Sequence, residues 1–306
     1  MSPLKNFDEL LESVKKANPV KVAVAQANDM EVIETVKMAT EKGIAQFYLV
    51  GDAKEIQEKC QQLNVDMNKV EIIDEPELEN APRAAVSLVS SGKAQVVMKG
   101  LIHTADYLRA ILDKEIGLRK DKSLLSHVGV FQVPAFDRFI ILTDAAMIIA
   151  PDLQQKVSII ENAVVVARAL GIEMPKVAAL SAVETVNPDM VSSVEAAILA
   201  KMSERGQIKN CIVDGPLAFD NAISKEAAEH KGIKSPVAGA ADILLVPDIE
   251  AGNILYKSFT YAAGASMAGI VVGAKAPVVL TSRADTAESK LYSIALAVQV
   301  ANFQSQ

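Results

Sequence analysis

Short apolar runs, continuous rather than alternating, recur along the whole chain. The first are "VKVAVAQA" (20–27), "QFYLVG" (46–51), "KVEIID" (69–74) and "AQVVMKG" (94–100). "VGVFQV" (128–133), "RFIILTD" (138–144), "KVAALS" (176–181), "NCIVDG" (210–215), "DILLVPD" (242–248) and "PVVLTS" (277–282) follow. A strand covered by helices on both faces needs no polar side, so runs of this kind point to parallel sheets. The segments between them have helical periodicity, most clearly 29–42, 82–92, 153–170 and 284–302. In 153–170, Leu153, Val157, Ile160, Val164, Ala167 and Leu170 recur at three- and four-residue steps.

So many strand–helix alternations in 306 residues exceed one α/β domain. The expected fold is α/β, with two α/β/α sandwich domains built on mostly parallel sheets. A crossover near "VPAFDR" (133–138) makes 1–133 the first domain, rejoined by the last helix, 284–306; residues 134–283 make the second.

Composition removes several functions. A formal charge of −7 argues against the basic face that nucleic acid needs. Cys60 and Cys211 form no CxxC pair, and each reads as a small packed side chain. His103, His127 and His230 have no metal-ligand spacing. "MSPLKNFDELLESVKKANP" is amphipathic and acidic, unlike a signal peptide, and Asp144 interrupts the apolar "FIILTDAAMIIA". A cytoplasmic protein with neither nucleic-acid nor membrane partners is expected.

In open α/β sheets, ligands bind beyond the carboxyl ends of the strands. There the sequence puts Lys99-Gly100, Thr143-Asp144, Ser181, Asp214-Gly215-Pro216, Pro247-Asp248 and Thr281-Ser282-Arg283. "GASMAGIVVGAK" (264–275) is glycine-rich but is neither a dinucleotide fingerprint nor a P-loop. Its small residues would let a helix pack closely against a sheet. "TSRADT" supports two readings. Ser282 and Asp285 have the spacing of a capping box, and Asp285 complements the positive helix end. Arg283 would oppose that same dipole unless an anion also sits there, held by free N–H groups and a bidentate guanidinium.

Several segments together resemble the phosphate acyltransferases, the phosphate acetyl- and butyryltransferases. They are "VMKGLIHTADYLRAIL" (97–112), "LTDAAMIIAPDLQQKVSIIENA" (142–163), "DGPLAFDNAIS" (214–224), "SPVAGAADILL" (235–245), "DILLVPDIEAGNILYK" (242–257) and "VVLTSRADTAESK" (278–290). "SRADTAESKLYSIALA" is similar to the butyryltransferase branch. The resemblance implies two α/β/α domains flanking a cleft, as in the isocitrate and isopropylmalate dehydrogenases. It implies a short-chain acyl-CoA, butyryl-CoA above all, reacting with inorganic phosphate by direct transfer in a ternary complex. No metal and no tightly bound cofactor are implied; coenzyme A is a substrate, and the chain should be a homo-oligomer, at least a dimer.

Carried over residue by residue, the family's Ser-Arg pair falls on Ser282 and Arg283, the serine facing the thioester and the arginine holding phosphate. A family arginine falls on Arg109 in "DYLRAIL"; for an upstream one, Arg83 and Arg119 are only nearby. The aspartate proposed as base in the acetyltransferases falls on Ser289, leaving Asp285 and Glu288 as the nearby acids. Lys99, Thr143 and Asp144 are candidate ligand contacts, and His103 and His127 read as structural. The alternatives are a phosphate acetyltransferase, a two-domain binding protein, and a metal- and NAD-dependent hydroxyacid dehydrogenase of the same architecture. The last would draw on Asp214, Asp220, Asp242 and Asp248.

Overall fold

A computed structural model describes residues 2–120, 123–281 and 285–305. Contacts divide the chain into two compact units. One joins Phe7–Ser123 to Ala268–Gln306; the other joins Met1–Asn6 to Leu124–Met267. The sequence pattern had suggested divisions at 133/134 and 283/284.

The first unit opens with α1 (Phe7–Lys16), β1 (Lys21–Ala25), α2 (Met30–Glu41), β2 (Gln46–Gly51) and α3 (Ala53–Gln62). It continues through β3 (Val70–Asp74), α4 (Ala81–Ser90), β4 (Val96–Lys99) and α5 (Thr104–Ile111). The helix starts are written locally. Asp29 accepts from the N–H groups of Glu31 and Val32 at the head of α2, and Asp52 accepts from Glu55 N at the head of α3.

The second unit contains β5 (Ser126–Gln132), β6 (Ile140–Thr143), α6 (Leu153–Ala169), β7 (Lys176–Leu180) and α7 (Val191–Glu204). β8 (Ile212–Leu217), α8 (Phe219–Ile223), α9 (Lys225–His230), β9 (Ile243–Leu245) and α10 (Ile249–Lys257) complete it. Its strands run in the order β5-β6-β9-β7-β8, parallel except for the β5–β6 pair. Phe131, Leu142, Leu217, Leu244 and Phe259 are among its core residues, with Phe131 and Phe259 edge to face at 5.1 Å. Each such side chain stabilises the fold by roughly 1.5–3 kcal/mol through apolar burial.

The chain then returns to the first unit as β10 (Ser266–Val272), β11 (Val278–Val279) and α11 (Ala287–Gln304). The strand order there is β3-β2-β1-β4-β11-β10, with only β10 antiparallel to its neighbour. Most of the glycine-rich 264–275 forms β10, and Gly269 N donates to Ser293 Oγ of α11 at 3.0 Å, so its small residues do let a helix pack closely on the sheet. "SMAGIVV" ends in β-branched residues, and every residue after Ser266 is buried, as a covered strand requires.

α11 packs against α1, α2, β4 and β11. All its residues from Lys290 to Ala301 are buried, which explains why the segment is mostly apolar on every face, with Lys290, Ser293 and Gln299 as its polar exceptions. Phe7 stacks on Tyr292 with ring centroids 4.1 Å apart, fastening α1 to it. Among the described residues no helix is long and apolar enough to cross a membrane.

Candidate active site

In the first unit, β1, β2 and β3 step outward in one direction, and the chain then returns to lay β4 on the other side of β1. The reversal opens a crevice beyond the carboxyl ends of β1 and β4, the position where open α/β sheets bind ligands. A cavity of about 100 Å³ lies there. Its walls include Asp29 and Glu31 from the start of α2, Lys99 and Gly100 from the end of β4, Thr281 after β11, and Lys290 from the first turn of α11.

The floor is tight. Gly100 N donates to Ala25 O at 2.9 Å and Leu101 N to Gln26 O at 2.8 Å. A Cβ on Gly100 would lie 2.1 Å from Gln26 O, so only glycine lets β4 turn away beside β1. Gln26 has a φ of 61°, which is costly for a residue with a side chain. It is 7% exposed, and its Oε1 is buried without a hydrogen-bond partner.

Charges on the walls are paired. Asp29 is engaged by the α2 N–H groups, and Lys290 Nζ lies 2.8 Å from Glu31 Oε2. The hydrogen bond from Lys290, and then its charge, hold the Glu31 carboxyl below its ordinary range. Lys99 is half-buried, with Nζ 3.4 Å from Gly100 O.

The switch-point cavity, walled by Lys99 and Lys290 beside Asp29 and Glu31, ends one residue before a Ser-Arg pair, and comparison with known proteins is specific. Residues 6–83 and 75–298 match the family described as "Phosphate acetyl/butaryl transferase". The chain is 54% identical to the phosphate butyryltransferase of Clostridium beijerinckii over 97% of its own length and 98% of the relative's. It is 49% identical to the phosphate acetyltransferase of Thermotoga maritima, over 95% and 98% respectively. A crystal structure of a branched-chain phosphotransacylase from Enterococcus faecalis superposes with a TM-score of 0.83 at 38% identity, covering 92% of this chain and 99% of the other.

The chain belongs to the phosphate acetyl/butyryl transferase family.

Within this transferase, Ser282 and Arg283 lie outside the described residues, between Thr281 on the cavity wall and Asp285. The capping-box reading of Ser282 is corrected. α11 starts at Ala287, and its cap is Thr286, which accepts from Ser289 N at 3.1 Å. Asp285 is half-buried just before that cap. Glu288 is exposed in the first turn and accepts from the Tyr292 phenol at 2.7 Å.

The other candidates are placed differently. Arg109 projects from α5 with a 77%-exposed side chain, paired to Asp106 at 2.6 Å. Arg83 pairs with Asp113 instead of approaching the cavity. In the second unit, Thr143 and Asp144 are buried and turned toward backbone. Thr143 Oγ1 donates to His127 O; Asp144 accepts from the N–H groups of His127, Ala146 and Met147. Such saturation holds the end of β6 in place.

Burial raises the thiols of both Cys60 and Cys211, the latter to about 11, which keeps them protonated at neutral pH. Three of the four aspartates considered for a dehydrogenase are engaged separately: Asp242 by Lys176 N, Asp248 as cap of α10, and Asp214 by Gly215 N; Asp220 lies in the first turn of α8. Among the described residues no three His, Cys, Asp or Glu side chains gather into a metal set.

Sequence reasoning missed Glu31 and Lys290 as cavity residues. One signal was available: Lys290 is the only charge in the apolar stretch "KLYSIALAVQVA".

Proposed function

We propose that this chain interconverts a short-chain acyl-CoA and inorganic phosphate with an acyl phosphate and coenzyme A, by direct transfer in a ternary complex. Butyryl-CoA is the preferred donor in this reading. The observation that carries it is the 54% identity, over 97% of the chain, to a phosphate butyryltransferase. The switch-point cavity beside Thr281 supports it, because Lys99 at the end of β4 faces the space that precedes the Ser-Arg pair, and phosphate and acyl phosphate are both anions.

A phosphate oxygen attacks the thioester carbon, an oxyanion forms, the C–S bond breaks and the thiolate of coenzyme A departs. Arg283 holds the phosphate through its two-pronged guanidinium and offsets the charge. Ser282 hydrogen-bonds at the thioester, and Lys99 adds positive potential at the end of β4. A thiol with a reference pKa of ~8.5 needs modest proton transfer. Asp285 or Glu288 takes that proton in the direction that consumes coenzyme A. The large coenzyme supplies binding energy far from the reacting atoms, which positions the thioester. Arg109 is carried over from the family as a substrate contact, and Lys99, Thr143 and Asp144 are assigned weaker ligand roles in this reading. No metal takes part, and the enzyme works in the cytoplasm as a homo-oligomer.

The acetyl-specific alternative has its own support in the 49% identity to a phosphate acetyltransferase. Phosphate-dependent thiol release from acetyl-, propionyl-, butyryl- and valeryl-CoA, with and without EDTA, tests the reading. Highest kcat/KM with butyryl-CoA, insensitive to EDTA, is expected. Preference for acetyl-CoA would shift the assignment to the alternative, and no phosphate-dependent release from any donor would overturn it. Light scattering that finds only a 32.6 kDa species at all concentrations would refute the oligomer.

A further inference from the structure

Lys290 is an anomaly in its helix. It is 7% exposed, the first residue of the buried stretch of α11, and the only charge in that stretch. A cation in the first turn also opposes the helix dipole. Burial and dipole both favour an apolar residue, like its neighbours Leu291 and Ile294. What the lysine gains is one partner: Glu31 Oε2 at 2.8 Å, 259 residues away in sequence. Glu31 is in the first turn of α2, where an acid is favourable, and its side chain is 65% exposed. The two helix starts are thus tied across the wall of the switch-point cavity. The first turn of α11 follows directly on the segment Thr281–Thr286, which carries Ser282 and Arg283.

We infer that Lys290 is a positioning residue for acyl transfer: through Glu31 it fixes the first turn of α11 against α2 on the wall of the switch-point cavity. The inference rests on the phosphate acyltransferase reading above. A surface ion pair would contribute little, because water screens it. Here the lysine end is buried, so losing either partner leaves the turn without its anchor. The effect falls on the reacting geometry rather than on binding of the coenzyme body, since misplacement by about 1 Å can cost about 100-fold in rate.

The test uses the full chain and four variants: Lys290→Met, which suits both burial and helix; Lys290→Arg, which keeps the charge; Glu31→Gln, an exposed change that leaves the core intact; and the double variant Lys290→Met/Glu31→Gln. Two quantities are read: kcat and KM for acyl-CoA and phosphate, and hydrogen–deuterium exchange across 285–290. Lys290→Met should lower kcat at least about tenfold while KM for acyl-CoA stays within about threefold. Exchange in the first turn of α11 should quicken in Lys290→Met and in Glu31→Gln. The double variant should be no worse than Lys290→Met alone, as partners in one interaction behave, and Lys290→Arg should recover most of kcat. Wild-type kcat in Lys290→Met, additive losses in the double variant, or unchanged exchange in the first turn would each overturn the inference. Inactivity of the wild type with every acyl-CoA would defeat the functional reading instead. The exchange measurement would still decide whether the pair anchors α11.

Discussion

The Tyr292 phenol donates to Glu288 Oε1 at 2.7 Å, one turn apart on α11. Burial first, and this bond next, push the phenol well above its ordinary range, so it stays a donor at any working pH. One oxygen of Glu288 is therefore committed, and half-buried Asp285 is the acid nearer to Arg283 in sequence, two residues away. Asp285→Asn should lower turnover in the thiol-consuming direction by roughly 100-fold, and Glu288→Gln by less than about tenfold. The opposite order would make Glu288 the proton acceptor.

Arg283→Lys keeps the charge but loses the planar fork. If Arg283 clamps the phosphoryl group, the cost is roughly 2–4 kcal/mol, or about 30- to 1000-fold in rate. The thermal midpoint should barely move. Ser282→Ala should also lower turnover without the stability loss of a cap, because Thr286 caps α11. The cap cost, ~1 kcal/mol, belongs to Thr286→Ala, whose turnover should fall far less than that of Arg283→Lys. Wild-type kcat/KM for phosphate in Arg283→Lys would remove the arginine from the site.

Gly100→Ala tests the cavity floor. The added Cβ would meet Gln26 O at 2.1 Å and Ala25 O at 2.6 Å, both backbone atoms that no side-chain rotation can clear. The ends of β1 and β4 must separate, at a cost of roughly 1–3 kcal/mol in overpacking. A lower thermal midpoint together with reduced turnover is expected. An unchanged enzyme would show that these strand ends part freely.

Asp113 gives a pH signature. Backbone N–H groups of Ile116 and Glu115, then Arg83, hold its carboxyl down at about 2. A carboxyl depressed on folding stabilises above its unfolded value of ~3.9, and that contribution disappears as pH falls through the folded value. The gap in thermal midpoint between wild type and Asp113→Asn should be constant above about pH 5 and close between about pH 4 and 2. A gap that persists at the acid end would mean the carboxyl is not what holds this turn.

Much of the protein could be read without coordinates because the signals were local. Unbroken runs such as "KVAVA" became covered strands because a strand helix-packed on both faces has no polar side. Local reading failed where several short-range preferences compete. "SMAGIVV" mixes small residues with β-branched ones, and long-range pairing, such as that beside β11, made it a strand. The start of α11 depended on whether Ser282 or Thr286 lay where helical backbone begins. The exposure of Arg109 on α5 was likewise beyond local reading, since helix periodicity does not say which face meets solvent. The cavity itself was beyond the sequence. It exists because β4 lies beside β1 rather than beside β3, a choice made by long-range packing. The Lys290–Glu31 pair spans 259 residues, and its energy arises only when burial brings the helix starts together. Periodicity is set by neighbours along the chain, whereas a site is set by neighbours in space.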